Sequence, residues 1–123
     1  MYDEVGGMAF FDALTRRFYG AVAGDPVLLA VYPTPDDLEP GRRHLAMFLA
    51  QYWGGPDDYQ AERGHPQLRM RHHPFAIGSV ERDRWLHHME EALEAVGTGV
   101  PEDVRRQMLE YFRMAAPALQ NRP

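Results

Sequence analysis

The sequence predicts an all-α protein with four main helices and one long irregular connection between the second and the third. Apolar residues recur at spacings of three and four in four separate segments, which places them on one face of a helix each time. No segment shows convincing strand alternation. The 10 prolines and 11 glycines cluster between the periodic segments and punctuate the chain.

Taken in order, residues 8–23 form the first helix, with Phe11, Leu14, Phe18 and Val22 on its apolar face. Gly6-Gly7 before it permits a sharp turn into the helix. Asp25-Pro26 interrupts the pattern, and a shorter helical stretch over 27–31 ends near Tyr32-Pro33. Pro33, Pro35, Pro40 and Gly41 mark 33–41 as a loop. Residues 42–53 are amphipathic, with Leu45, Phe48, Leu49 and Tyr52 on one stripe. Gly54-Gly55-Pro56 closes that helix as a left-handed glycine followed by proline.

Residues 57–78 are polar and least regular, with room for a short helix near 68–73. A long stretch without periodicity inside a compact domain is often functional. Ser79 is placed to cap the third main helix, with Glu81 in its first turn. That helix runs to about Val96, with Leu86, Met89, Leu93 and Val96 on one side and Trp85 beside them. Gly97-Thr98-Gly99 stops it. Pro101 opens the last helix, where its missing N–H costs nothing. Val104, Met108, Tyr111, Phe112, Ala115 and Leu119 supply the face, and Pro117 leaves the helix end open.

The 123 residues suit one domain spanning 1–123. Hydrophobic residues at 45% and charged residues at 25% match an ordinary globular chain and argue against disorder and against a coiled coil. The absence of cysteine removes disulfides, thiol catalysis, Cys-based zinc sites and Cys-ligated clusters. No apolar run approaches the roughly 20 residues that cross a bilayer. The opening MYDEVGG carries acids where a signal peptide needs bases, so the chain reads as cytoplasmic and off the membrane. A net charge of -5 gives no general attraction to nucleic acid.

Six histidines are many for this length, and His is the commonest metal ligand. On spacing alone each has a plain reading. His44, His87 and His88 sit on charge-rich helices and read as solvated, His65 precedes a proline, and His72 and His73 are adjacent. There is no His-Glu-x-x-His motif and no phosphate loop. The single serine, Ser79, makes a Ser/His/Asp triad untenable, and scattered acids give paired-carboxylate catalysis no support. The aromatics Phe18, Tyr19, Tyr32, Phe48, Tyr52 and Trp85 fall in or beside apolar faces. Ordinary core explains Phe18 and Phe48. Buried Tyr and Trp need hydrogen-bond partners, so the others also suit a pocket for a polar ligand.

With these segments in view, the chain resembles the group II truncated haemoglobins, two-over-two helical globins, over nearly its whole length. The resemblance rests on motifs in order: Arg17-Phe18-Tyr19, Val31-Tyr32-Pro33, Met47-Phe48-Leu49, Gln51-Tyr52-Trp53-Gly54-Gly55-Pro56, Arg63-Gly64-His65-Pro66, Leu68-Arg69-Met70-Arg71-His72, Pro74-Phe75 and Glu81-Arg82-Asp83-Arg84-Trp85-Leu86. It implies haem b (iron protoporphyrin IX) held by a proximal histidine, a role that maps onto His72. His73 then fills the variable position before Pro74-Phe75. The polar distal residues map onto Tyr19, Tyr32 and Trp85, whose donors would stabilise charge on a diatomic ligand. Leu45 and Phe48 resemble the pocket-lining residues of the distal helix, and Gly41 falls where other globins place a distal histidine. Arg71, Arg69 and Tyr59 are the candidates for the haem propionates. Leu68, Met70, Phe75, Ile77 and Met89 are the candidates for contact with the macrocycle. Thr34-Pro35 lengthens the 33–41 loop by one residue relative to the family form.

The resemblance implies a protein that reversibly binds O₂, with CO, NO and other small haem ligands as alternatives, in oxygen binding or transport. A haem-dependent peroxidase or an oxidase converting nitric oxide to nitrate would use the same pocket. No nicotinamide or flavin fingerprint is present, so sustained turnover would draw on an external reductase. Self-association into a homo-oligomer is common in the family. A haem-free helical interaction module is the reading outside haem chemistry, and its mark would be exposed aromatics.

Overall fold

The computed structural model describes residues 1–64 and 76–121, with six helices among them and no strand. Helix α1 spans Met8–Ala23, α2 Pro26–Leu29, α3 Glu39–Tyr52, α4 Asp58–Arg63, α5 Ser79–Val96 and α6 Glu102–Leu119. Helices α1 and α3 pack as one pair and α5 and α6 as another, and α1 crosses onto α5 to join the two layers. Helix α2 bridges α1 and α5, and α4 lies on α3.

The core forms where the two pairs meet. Phe11, Leu14, Phe18 and Val22 of α1 are fully buried, as their spacing predicts. Leu49 of α3, Met89 and Leu93 of α5, and Met108 and Phe112 of α6 close on them. The backbone enters α1 through Gly6 and Gly7, both at positive φ, a conformation open to glycine at little cost.

Helix boundaries depart from the sequence expectation at five points. Helix α2 takes Pro26 into its first turn and ends at Leu29, short of the expected 31. Helix α3 starts at Glu39 rather than 42, because Pro40 lies in the first turn, where a missing N–H breaks no bond. A short α4 occupies part of the stretch expected to be irregular. Helix α5 is capped by Gly78 rather than Ser79, and the Gly78 N–H donates to Glu81 Oε1 at 2.8 Å. Asn121 pairs with both backbone groups of Ile77 at 2.9 Å, which holds the residues before α5 extended. Pro101 flanks α6 instead of opening it, and its carbonyl accepts from the Arg105 N–H at 3.0 Å. Pro117 lies within the last turn, and α6 continues to Leu119.

Helix α3 ends as expected at Gly54, with φ 93°. At the next residue a Cβ on Gly55 would stand 2.5 Å from the Tyr2 ring and 2.8 Å from the Ala50 carbonyl, so only glycine fits. Tyr52 leaves the expected stripe and is exposed, and on α6 Ala116 takes the buried place expected of Ala115.

Candidate functional site

Beside Tyr19, α3 and the chain after α2 border a cavity of about 420 Å³. Its wall comes from one face of α3, where Gly41, His44, Leu45 and Phe48 succeed one another at helical spacing. Tyr19 of α1, Tyr32 and Pro33 after α2, and Tyr59 and Arg63 of α4 complete most of it. The apolar residues form the sides, and His44 and Arg63 supply cationic or hydrogen-bonding groups at the edge.

Two phenols meet at the inner end. The Tyr19 and Tyr32 rings cross edge-on, 5.7 Å between centroids, close enough for each phenol to shift the acidity of the other. Burial pushes the Tyr19 phenol up to about 12. Burial, with Tyr19 as neighbour, pushes Tyr32 well above its ordinary value. Both therefore remain O–H donors throughout the neutral range. A Cβ on Gly41 would stand 3.3 Å from the Tyr19 hydroxyl oxygen. Glycine there keeps the space in front of that hydroxyl open.

A second cavity of about 120 Å³ adjoins the first through Tyr32 and Pro33, which line both. Trp85, Ile77 and Leu28 are among its other walls. An aromatic relay links the two: Phe18 stands edge-on to Tyr19 at 5.3 Å and to Trp85 at 5.3 Å. Trp85 in turn leans on Phe112 at 6.0 Å.

The structure thus brings Tyr19, Tyr32, Gly41, Leu45, Phe48 and Tyr59 onto one cavity, and Tyr32, Ile77 and Trp85 onto its neighbour. Tyr59 is buried edge-on to Phe48 at 5.4 Å. Met89 is wholly buried in the core and lines neither cavity. His72, Arg71, Arg69, Leu68, Met70 and Phe75 lie outside the described residues, as does His73.

Two histidines read as solvated are not. His44 lines the larger cavity. Burial, then the charge of Arg63, pushes its imidazole below the ordinary value, so it stays neutral at pH 7. The spacing of 41, 44, 45 and 48 carried that signal. His88 is 17% exposed, and its Nε2 lies 2.8 Å from Asp25 Oδ2. No local pattern links residues 63 positions apart. His87 is solvated as expected, 72% exposed.

Known proteins share this arrangement. Residues 1–118 match the bacterial-like globin family. A group 2 truncated haemoglobin of Bacillus subtilis is 42% identical over 94 residues, covering 76% of this chain and 70% of its own length. The haemoglobin of the thermophilic bacterium Chloroflexus aurantiacus superposes with a TM-score of 0.93 at 51% identity, covering 98% of this chain and 97% of its own. The group II truncated haemoglobin of Bacillus anthracis superposes with a TM-score of 0.91 at 35% identity, covering 99% and 96%. The layered helices are those of a globin, a haem-based ligand-binding protein. The chain belongs to the bacterial-like globin family and, within it, to the group II truncated haemoglobins with the two-over-two fold.

The site suits the cofactor that the family implies. A flat apolar macrocycle with two carboxylates needs apolar walls and cationic or donor groups at one edge. Leu45, Phe48, Pro33 and Tyr59 offer the first, and Arg63 and His44 offer the second. Among the described residues no helix is long and apolar enough to cross a membrane.

Proposed function

We propose that this chain holds haem b on His72 and reversibly binds O₂, with Tyr19, Tyr32 and Trp85 as distal donors. When bound, the haem would supply a ferrous iron able to take up a diatomic ligand. Everything else is the work of the side chains. Leu45, Phe48 and Tyr59 wall the cavity with apolar surface. Arg63 and His44, which line the cavity, would pair with the haem propionates, and Arg69 and Arg71 are the further candidates that the sequence offers for that role. Tyr19 would present its O–H to the space beside Gly41, with the Tyr32 ring packed edge-on against its own. Trp85, which lines the adjoining cavity, would supply an indole N–H as the third donor.

The observation that carries the reading is the protonated phenol of Tyr19 facing a glycine that leaves its front open. A donor held in advance needs little reorganisation when partial negative charge arrives on a ligand. CO and NO enter the same space, with weaker demand on the donors. The sequence carries no nicotinamide or flavin fingerprint, so the reading is ligand binding first.

The test is O₂ release measured by stopped flow. Trp85→Phe should release O₂ about ten-fold faster, the loss expected for one hydrogen bond to a partly charged acceptor. A rate equal to the parent's would remove Trp85 from the donor set. His72→Ala should abolish the proximal iron–histidine Raman band, and an unchanged band would refute the proximal assignment.

A further inference from the structure

We propose that Asp25 is the positioning residue of the distal donors: its carboxylate ties the turn carrying Tyr32 to the helix carrying Trp85. This rests on the reading of Tyr32 and Trp85 as ligand-facing donors.

Asp25 stands at the junction of α1 and α2 and is 5% exposed. Its Oδ1 accepts from the backbone N–H groups of Val27 at 3.1 Å and Leu28 at 3.3 Å, which caps α2. Arg84 Nη1 donates to both carboxylate oxygens, at 3.0 and 3.1 Å. His88 Nε2 meets Oδ2 at 2.8 Å. Facing an ionised carboxylate, that nitrogen carries the proton. Three donor sets from two elements thus converge on one side chain, more than a helix cap requires.

The two ends of this junction lead to the distal donors. From Asp25 the chain runs in hydrogen-bonded turns: Leu29 N–H to the Asp25 carbonyl at 2.8 Å, then Tyr32 N–H to the Leu29 carbonyl at 3.1 Å. On the other side, Arg84 is the residue before Trp85. The Asp25 carboxylate therefore sets how far the Tyr32 turn stands from α5. His88 Nδ1 is buried without a hydrogen-bond partner among the described residues, so Asp25 alone fixes the orientation of that ring by hydrogen bonding. Elsewhere Tyr32 and Trp85 are connected through Phe18 and Tyr19 by ring contacts, which tolerate sliding in a way that a charged, forked hydrogen bond does not.

The experiment compares Asp25→Asn with the parent and with Trp85→Phe as holoprotein. Asp25→Asn keeps the shape and an acceptor for the cap but removes the charge that holds Arg84 and His88. Two readouts are taken: the O₂ dissociation rate, and the C–O stretch of the CO-saturated reduced protein, which reports the field of nearby donors. The expected result is O₂ release about ten-fold faster, with a shifted and broadened C–O band. His88→Gln keeps an N–H donor toward Oδ2 and should stay within about three-fold of the parent, while His88→Ala should not.

A merely structural Asp25 would lower Tm and leave the rate and the band unchanged, and that result overturns the proposal. If Trp85→Phe moves both readouts and Asp25→Asn neither, positioning is refuted and the donor reading stands. If neither variant moves them, both are refuted. Should Asp25→Asn fail to fold, Arg84→Gln replaces it, since that guanidinium is half exposed. Unchanged readouts in both Arg84→Gln and His88→Ala would equally overturn the proposal.

Discussion

Tyr19→Phe removes a single oxygen, one that borders the open space beside Gly41. A hydrogen bond to a partly charged ligand is worth about 1.5–3 kcal/mol, which is about ten- to a hundred-fold in dissociation rate. The loss is partly made good. The Tyr32 ring centre is 5.7 Å away, and its hydroxyl keeps its proton at neutral pH. Turning to the ligand, it restores about 1 kcal/mol. The expected net effect is the lower end of the range, about ten-fold faster O₂ release. The double variant Tyr19→Phe, Tyr32→Phe loses the replacement as well and should reach about a hundred-fold. The assay is stopped-flow displacement of O₂ by excess CO. A double variant releasing O₂ at the parent rate would rule out both phenols as donors. A double variant no faster than the single would rule out the compensation by Tyr32.

Three further outcomes rest on the same geometry. Gly41→Ala places a methyl 3.3 Å from the Tyr19 oxygen, so it should move that hydroxyl by a few tenths of an ångström and change O₂ release about three-fold. The same change should raise Tm by about 4 °C, because alanine is worth about 1 kcal/mol over glycine within a helix, and a lower Tm would show that the contact is not relieved. Arg42 is buried and donates to Glu39, Asp12 and Thr15, tying α3 to α1 next to Gly41. Arg42→Met should cost about 2 kcal/mol, since Glu39 and Asp12 regain water when the guanidinium goes, and thermal unfolding should fall by about 8 °C. The hydrogen bond from His88, followed by the Leu28 N–H and Arg84, holds the Asp25 carboxyl down at about 2 despite its burial. Its folded value lies below the unfolded one, so its stabilising contribution is present above about pH 4 and fades as pH falls toward 2. The gap in Tm between parent and Asp25→Asn should therefore close across that window, and a gap independent of pH would contradict the assignment.

What the sequence made legible was what repeats locally. Phe11, Leu14, Phe18 and Val22 recur on one face, and α1 begins and ends where that face does. Pro40 misled because proline reads as a loop residue unless its place in the first turn is known. Helix α4 escaped notice because it buries one large side chain, Tyr59, and one residue has no period. Ser79 is a good capping residue by type, but the pairing of Ile77 with Asn121, 44 residues away, settles the start of α5. The site shows the same division. That Tyr19, Tyr32, Gly41 and Trp85 belong near a cavity was suggested by motif resemblance alone, while Leu45 and Phe48 also followed from helical spacing. The Asp25–His88 contact and the burial of Arg42 between α1 and α3 depend on how distant segments meet, and no local pattern announces them.

If this globin carries haem on a neutral proximal histidine, with an axial position for small ligands, its colour must say so. The optical spectrum of the purified protein is the direct test, taken ferric, then dithionite-reduced, then saturated with CO. A sharp, intense band near ~420 nm is expected when CO meets the reduced form. A protein that stays colourless even after haem is added would show that the cavity beside Tyr19 and Gly41 is not a haem pocket.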